Sequence, residues 1–407
     1  MLNTCVTTYR KGRDQAVETT VCGASAFSFW RTPPIVLRLS AFPYDGSTLG
    51  GLISQESVEQ LRLELAETSP IGISCSHGPS WRTAGADARR IRNALPVFTP
   101  WAQTPVDVLV REHRLCHASA LVRPRLWSAE LPFGSTTQLA DDINVTSPAF
   151  TMLQLASQVG LVDTMLMASE LCGSFAVYSP PRCVAKILQG LIEQNRLPII
   201  DGWRPSLSNG MLTNLWSRPP LVQPSDLLEI AATSDSRRGC RRLQKAATLL
   251  MANAASPFEV QAALLMGLPR AQGGEGYTGL RLNEEIRLSS EAKLLAGRDR
   301  CYCDLYWDNG LDIECQSAQH HDNAESYISD ADRTAALQLM GINVLPVTYG
   351  QLKDPRRFEA LSHAICRAHG MRWRPKTQIE LEASQKLRDQ VLVDWSHLPD
   401  SAFGRHD

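Results

Sequence analysis

Apolar and polar residues follow their most regular pattern in the last third of the chain. Ser256, Pro257 and Glu259 combine an N-capping hydroxyl, a proline in the first helical turn and the acidic residue of a capping box, which predicts a helix to about Gly267. A half-buried strand is predicted after it by apolar residues of one parity, Leu280, Leu282, Ile286 and Leu288.

Two strands joined by a tight turn are expected next. The turn is Asp308-Asn309-Gly310, a strong hairpin signal between two apolar runs. The later apolar runs, with Gly341 stopping a helix, predict the order strand, strand, helix, strand, helix at residues 300–307, 311–316, 325–340, 344–347 and 354–370. The complete order is αβββαβα.

The first 250 residues are less regular. Residues 1–145 alternate short apolar runs with turn signals and predict a mixed α/β region, in which 54–67 forms a helix. Residues 146–250 predict a mainly helical region that begins at the Ser147-Pro148 N-cap. A stretch rich in Pro, Ser and Asn, residues 203–224, predicts an irregular loop within it.

The end of the chain predicts one amphipathic helix followed by a loose end. Its inward face is expected to hold Ile379, Leu387, Val391 and Trp395. The 407 residues allow about two to three domains of ordinary size. We therefore divide the chain into a mixed α/β region, a helical region, an αβββαβ unit and a tail, over residues 1–145, 146–250, 251–375 and 376–407.

The composition predicts a cytoplasmic protein. The first twenty residues hold no apolar run of the kind a secretory signal needs, and no stretch approaches the roughly 18 apolar residues of a membrane helix. The eleven cysteines include no CxxC pair, so free and mostly buried thiols are favoured over a zinc site. Cys301 and Cys303 would share one face of a strand.

The charges are unevenly distributed although the formal net charge is only −1. Residues 301–350 hold eight acidic residues against one basic residue, Arg333. Basic clusters flank this segment at 237–245 and 353–376, and they include Arg241, Arg242, Arg372 and Arg374. An acidic patch between basic flanks suits a site that binds a cation and, through it, phosphate. The alternative is a set of solvated helix surfaces, with arginines that cap helix C-termini.

The loop length of the hairpin decides whether Asp304 and Glu314 lie on one face of the sheet. A two-residue loop would separate them, whereas a three-residue loop, 308–310, with Gly310 at positive φ would place them opposite each other. Directly paired residues have Cβ atoms about 4.5–5.5 Å apart, close enough to share one cation. Gln316 would lie on the same face. The alternative is a polar, exposed hairpin, and Asp308 and Asp312 are expected to be of that kind.

Two adjacent carboxylates suit a hard divalent cation. They repel each other at neutral pH, and Mg²⁺ or Mn²⁺ would remove that repulsion. Mg²⁺ favours one or two protein carboxylates, with water and substrate phosphate as its remaining ligands. A metal held in this way activates water and stabilises the charge that develops on a phosphate during hydrolysis.

The array of Asp304, nine intervening residues and then Glu314-Cys315-Gln316, on an αβββαβ core, resembles the PD-(D/E)XK nuclease superfamily. The closer likeness is to the branch related to very-short-patch-repair endonucleases, through Ser256, Pro257, Glu259, His320, His321, Asp330, Asp332, Arg333 and residues 341–348. The likeness covers roughly residues 250–370. A weaker one, through Val145 to Pro148, Thr151 and Leu155, is to bacterial proteins related to abortive-infection antitoxins and extends the match to residues 90–370.

This resemblance implies an α/β (α+β) restriction-endonuclease-like core with a mixed sheet. It implies that Asp304 and Glu314 bind the metal. The family has Lys at the position of Gln316, and glutamine supplies a hydrogen bond to water without the charge. Glu259 is either a helix-capping carboxylate or a residue that reaches the metal through water.

The remaining implied contacts are with phosphate. His320 and His321 are either loop residues or phosphate contacts, and Arg333 is either a phosphate contact or the ion-pair partner of Asp330 or Glu325. From the charge distribution, and not from the resemblance, Arg241, Arg242, Arg372 and Arg374 would bind the DNA backbone.

The function implied is a divalent-metal-dependent DNA endonuclease in phage defence or DNA repair. The alternative is a catalytically inactive nuclease-fold protein that binds DNA or regulates, of the abortive-infection antitoxin type. DNA is the expected partner, and no membrane and no small organic cofactor is expected. The sequence does not indicate the protein partners, the DNA specificity, the oligomeric state or the role of residues 1–145.

Overall fold

The computed structural model describes residues 18–40, 53–68, 91, 102–103, 105–140, 142–234, 237–316 and 324–398. His320 and His321, the predicted phosphate contacts of the acidic segment, lie outside these residues. Within them the protein is a mixed α/β structure with mixed sheets, which confirms the predicted class.

The N-terminal region contains a mixed five-stranded sheet in the order β3-β2-β1-β5-β4. Its strands are β1 (Thr19–Val21), β2 (Val106–Val110), β3 (Val122–Leu126), β4 (Thr136–Ala140) and β5 (Ile143–Thr146). The helices here are α1 (Gly23–Trp30), α2 (Pro34–Ser40) and α3 (Gln55–Thr68), and α3 confirms the helix predicted over 54–67. A 3₁₀ turn spans His113–Leu115.

The central region is mainly helical, as predicted. Its helices are α4 (Pro148–Ala156), α5 (Leu161–Cys172), α6 (Arg182–Glu193), α7 (Pro224–Thr233) and α8 (Cys240–Leu249). Ser147 caps α4 by accepting a hydrogen bond from the Phe150 amide at 3.4 Å, with Pro148 in the first turn. The predicted Ser147-Pro148 helix start is therefore confirmed.

The predicted irregular loop over 203–224 is wrong. That segment forms β7 (Arg204–Ser208) and β8 (Met211–Ser217), which join β6 (Phe175–Val177) in a sheet ordered β6-β8-β7. Asn209 and Gly210 turn the chain with φ of 51° and 75°, the two positive values that an Asn-Gly hairpin turn requires. Pro205 is tolerated because β7 is an edge strand.

The C-terminal region contains a mixed four-stranded sheet ordered β12-β11-β10-β9. Its elements are α9 (Pro257–Gly267), β9 (Arg281–Arg287), α10 (Ser290–Ala296), β10 (Arg300–Trp307), β11 (Leu311–Gln316), α11 (Ala324–Leu339), β12 (Asn343–Thr348), α12 (Tyr349–Lys353) and α13 (Pro355–Ala368). Only β11 and β12 are parallel; the pairs β9–β10 and β10–β11 are antiparallel. The predicted elements are confirmed, and the short helices α10 and α12 are additions. That this sheet is a restriction-endonuclease-like core stays a prediction.

Near the middle of β9 and β10, the apolar side chains change from one side of the sheet to the other. Leu280 and Leu282 belong to the largest core cluster, whereas Ile286 and Leu288 pack on the opposite side with Cys301 and Cys303. The prediction that Leu280, Leu282, Ile286 and Leu288 share one face of a strand is therefore wrong. Asn283 lies between the two halves with φ of 50°, and this left-handed residue breaks the regular alternation of the strand.

The tail is one helix, α14 (Gln378–Val391), followed by a 3₁₀ turn, Trp395–His397. Leu387, Val391 and Trp395 are buried as predicted, but Ile379 is 78% exposed, because only the later turns of α14 pack against the core.

The largest hydrophobic cluster runs from Ala24 to Leu398 and so includes residues of all four predicted regions. This packing does not test where the domain boundaries lie, and they stay a prediction. In the described part of the chain, no helix has the length and apolarity needed to cross a bilayer.

Candidate functional site

The β10–β11 hairpin has the geometry that a shared carboxylate site requires. Leu305 pairs with Ile313 and Trp307 with Leu311, which is the register of a three-residue loop. The Gly310 amide donates to the Trp307 carbonyl at 2.9 Å, and Gly310 has φ of 78°. Both the odd loop length and the positive φ of Gly310 are confirmed.

Asp304 and Glu314 contact each other at this hairpin. Each carboxyl group shifts the pKa of the other, and the Cys315 amide donates to Oδ2 of Asp304 at 2.8 Å. Asp304 on β10 lies opposite Asn283 on β9, at the point where the side chains of these strands change sides of the sheet. Because of that reversal, Asp304 lies near both Glu314 on β11 and Glu259 in the first turn of α9.

The proximity of these carboxyl groups changes their titration. Burial and then the charge of Glu259 raise the pKa of Asp304 to about 7. Burial and then the charge of Asp304 raise the pKa of Glu314 to about 8. Burial also raises the pKa of Glu259. At neutral pH the pair therefore retains protons that a bound cation would displace.

Arg333 on α11 is the positive charge at this site. Its guanidinium forms an ion pair with Glu314 and donates to the Tyr302 carbonyl on β10. The side chains of Asp330 and Glu325, the partners expected from the sequence, lie outside the described residues. Arg333 thus offsets part of the negative charge of the carboxyl pair.

Glu259 is held rigidly beside Asp304. Its Oε2 accepts from the Ala255 amide at 2.7 Å and from Asn283 Nδ2 at 2.5 Å, and its Oε1 accepts from the Ser256 hydroxyl at 2.7 Å. Ser256 caps α9 through the Glu259 amide at 3.2 Å. The Glu259 carboxylate therefore accepts a hydrogen bond from the Ala255 amide. In a reciprocal capping box it would accept one from the amide of the N-cap residue, Ser256.

Asn283 is a site residue that the sequence interpretation missed. Its Nδ2 also donates to the Asn253 carbonyl at 2.8 Å, so one side chain links α9, the loop before it and β9. An asparagine in the middle of a predicted strand was the available signal, because asparagine is depleted in strands and tolerates left-handed φ.

Two asparagine-to-glycine variants separate the amide of Asn283 from its backbone conformation. Asn283→Gly keeps the positive φ and removes the bond to Glu259, and we expect Mn²⁺ affinity to fall about 10-fold, as for other residues that orient the groups around a metal. Asn209→Gly, at another positive-φ asparagine in the β7–β8 turn, is the matched control and should leave affinity unchanged. Calorimetric titration with Mn²⁺ measures both. Equal affinities would limit Asn283 to a role in the backbone.

The two remaining hairpin carboxylates differ from each other. Asp308 is exposed and pairs with Arg281 at 2.5 Å, as expected for a polar hairpin tip. The same expectation for Asp312 is wrong, because its side chain is fully buried between β10 and β12 in the sheet. Burial and then the charge of Glu314 raise the pKa of Asp312 to about 7. The sequence position of Asp312, two residues after the turn, suggested exposure. It did not reveal that helix α11 covers the side of the sheet that carries Cys301 and Cys303.

The site residues suit a metal that needs few protein ligands. In the described part of the chain, no group of three or more His, Cys, Asp or Glu side chains is arranged to hold a metal ion. Mg²⁺ requires only one or two carboxylates, and Asp304 and Glu314, which act on each other's pKa across the hairpin, supply two. Gln316 is exposed at the end of β11, beside Thr348 of β12.

The flanking arginines make different contacts. Arg242 donates to the carbonyls of Ala156 and Val159 at the C-terminal end of α4, as in the helix-capping alternative. Arg374 pairs with Glu380 at 2.5 Å. Arg241 and Arg372 are exposed. Contact of any of them with DNA stays a prediction.

Nine cysteines lie in the described part of the chain, and six of them are buried. Cys301 and Cys303 share one face, as predicted.

Comparisons of the chain with protein-family models, with curated proteins and with solved structures found no match. The site at the β10–β11 hairpin is therefore interpreted from its own residues.

Proposed function

We propose that the protein is a divalent-metal-dependent DNA endonuclease. The observation that supports this most is the pair of half-buried carboxyl groups of Asp304 and Glu314 on adjacent strands, both with raised pKa values. Carboxyl groups placed together with raised pKa values are common at functional sites, because stability alone does not favour their repulsion.

Asp304 and Glu314 would hold Mg²⁺ or Mn²⁺. Such a metal supplies an activated water and stabilises the charge that develops on a phosphate during hydrolysis. The residues around the pair have separate roles: Glu259 raises the local negative charge, and Arg333 limits it by pairing with Glu314. Gln316, exposed at the same edge, offers an amide that orients water.

The second candidate function is a nuclease-fold protein that binds DNA or regulates without cleaving. Two observations favour it. Gln316 lacks the positive charge that lysine has at this position in the family that the chain resembles. In addition, Arg333 already occupies Oε2 of Glu314, so a metal must compete with an ion pair.

Incubation with supercoiled plasmid in Mg²⁺ and in Mn²⁺ distinguishes the two functions. If the endonuclease proposal is correct, nicked or linear DNA should form, and Gln316→Lys should keep or raise the rate, because lysine adds a cation that stabilises the developing charge. Agarose electrophoresis over time, with an EDTA control, measures this. The binding function is correct if neither the wild type nor Gln316→Lys cuts DNA in either metal. Both proteins should then still slow the migration of DNA in a gel.

The proposed setting is the cytoplasm of a cell, in phage defence or DNA repair. DNA backbone contacts are proposed for the exposed Arg241 and Arg372, since phosphate binding depends on accessible cations. Arg242 and Arg374 would first have to release the contacts they make here.

A further inference from the structure

A cavity of about 270 Å³ lies between α13, the segment before α14 and α14 itself. Its walls include Arg356 and Phe358 of α13, Trp373 and Lys376 of the connecting segment, and Arg388 of α14. None of these residues belongs to the carboxylate site at the β10–β11 hairpin. The cavity therefore needs its own interpretation.

Arg388 is a buried cation with an incomplete set of partners. The side chain is 5% exposed, and its guanidinium lies over the Phe358 ring, 4.9 Å from the centroid. Nη2 donates to the Leu352 carbonyl. Nη1 is buried and has no hydrogen-bond partner among the residues that the structure describes. A buried donor without an acceptor is unfavourable, and a rotation of the guanidinium group toward the cavity would let a bound oxyanion supply the acceptor.

The charges around the cavity favour an anion. Lys376 pairs with Glu275 and also donates to the Ser384 hydroxyl at 3.2 Å, so these two opposite charges offset each other. Arg388 and Arg356 then face a single remaining lining carboxylate, that of Glu359. Among the lining residues the balance is one positive charge, while Asp354 and Asp389 act on Arg388 from outside the lining. Charge interactions in a cavity partly closed from water are stronger than at an open surface.

We propose that this cavity binds a phosphate group. Guanidinium groups match phosphate oxygens in geometry, and Arg388 and Arg356 come from two different helices that border one space. Trp373 provides an aromatic wall, held by stacking on His363 with centroids 3.5 Å apart, against which a nucleoside can lie. The phosphate would come from a free nucleotide or from the 5′ end of a nucleic acid strand. The site is independent of the metal function proposed for Asp304.

Thermal unfolding of the full-length protein in EDTA tests the proposal. The probes are inorganic phosphate, adenosine monophosphate, acetate, and one short DNA oligonucleotide with and without a 5′-phosphate, all at equal ionic strength adjusted with NaCl. Phosphate-bearing probes are expected to raise Tm, because a ligand that binds only the folded state stabilises it. A stronger response to the oligonucleotide with a 5′-phosphate than to the same oligonucleotide without it would identify a strand end as the source.

Two variants on the first turn of α13 form a matched pair. Arg356→Gln removes a cation that lines the cavity, and the apparent Kd for phosphate should rise about 10-fold. Arg357→Gln removes an exposed cation of the same helical turn that does not line it, and should have no effect. Arg388→Lys, which keeps charge but loses the planar fork, should weaken phosphate binding if it folds.

Three results would overturn the proposal. The first is no rise in Tm with phosphate beyond that in NaCl. The second is an equal response of Arg356→Gln and Arg357→Gln, which would indicate general surface attraction. The third is a response to acetate as large as that to phosphate.

Discussion

Asp304→Asn is expected to abolish the rise in melting temperature that Mn²⁺ produces in the wild type, and to lower the proposed cleavage rate by about 10²–10³-fold. The substitution keeps the shape of the side chain and an acceptor for the Cys315 amide, so the hairpin should be preserved. It removes one of the two negative charges that a cation would bind.

The pH dependence of this response has a defined sign. The metal competes with protons for Asp304 and Glu314, whose pKa values lie at about 7 and about 8, so the rise in Tm should be small near pH 6 and larger near pH 8. Without metal the direction is opposite. The pKa of Asp304 is raised from 3.8, so the stability gained from its proton is complete below about pH 4 and is lost as the pH approaches 7.

The melting temperature of Asp304→Asn without metal is the complementary measurement. The amide introduced by Asp304→Asn cannot ionise, so in EDTA at about pH 8 this variant should unfold at the same temperature as the wild type or a higher one. Asp308→Asn, at the exposed tip of the same hairpin, is the control and should retain the full Mn²⁺ response. An unchanged Mn²⁺ response in Asp304→Asn would exclude a metal site at this pair.

Glu170→Gln is expected to lower the free energy of unfolding by about 3–5 kcal/mol, because it leaves a buried arginine without its counter-charge. Glu170 is fully buried and pairs with the buried Arg31 at 2.7 Å. The buried Arg218 donates to the Glu170 carbonyl at 2.6 Å, and the charge of Glu170 helps keep it protonated.

This ion pair connects distant parts of the chain. Arg31, after α1, also donates at 2.6 Å to the carbonyls of Trp395 and Leu398 beyond α14. Loss of the Glu170 charge should therefore weaken attachment of the C-terminal segment as well as the core around α5. Urea denaturation followed by tryptophan fluorescence measures the stability, and limited proteolysis measures release of the segment.

An exposed ion pair serves as the comparison. Lys293 and Asp299 lie 2.9 Å apart with both side chains largely in water, and Asp299→Asn should leave the denaturation midpoint nearly unchanged. If Glu170→Gln behaves like this exposed variant, water must reach the Arg31–Glu170 pair, and the pair would not be the attachment point of the tail.

Features that depend on neighbouring residues could be predicted from the sequence. The β10–β11 hairpin is an example, because the residues of a three-residue loop fix the register of the strands beside it. The N-caps at Ser147 and Asp354 are others. The β7–β8 hairpin had an equally local signal in Asn209-Gly210, and it was missed because the surrounding prolines and serines suggested a loop.

The carboxyl pair at the hairpin could also be predicted, but its surroundings could not. Asn283 lies 21 residues before Asp304, and nothing in that spacing indicates contact. Glu259 lies 45 residues before Asp304, and only the family resemblance suggested that it could reach the site. They meet because a left-handed residue breaks the pleat of β9 and because α9 begins beside that break. A single residue with unusual φ can reverse which face a strand presents, which a repeating pattern of apolar residues does not reveal.

The sequence by itself therefore determined the order of elements in the C-terminal region, the hairpin register and the pairing of Asp304 with Glu314. Only the tertiary structure decided that Asp312 is buried, that Arg333 pairs with Glu314, and that Arg388 lines a cavity. The physical reason is range. Turn and cap geometry depend on residues a few positions apart, whereas burial and ion pairing depend on which distant element covers a side chain.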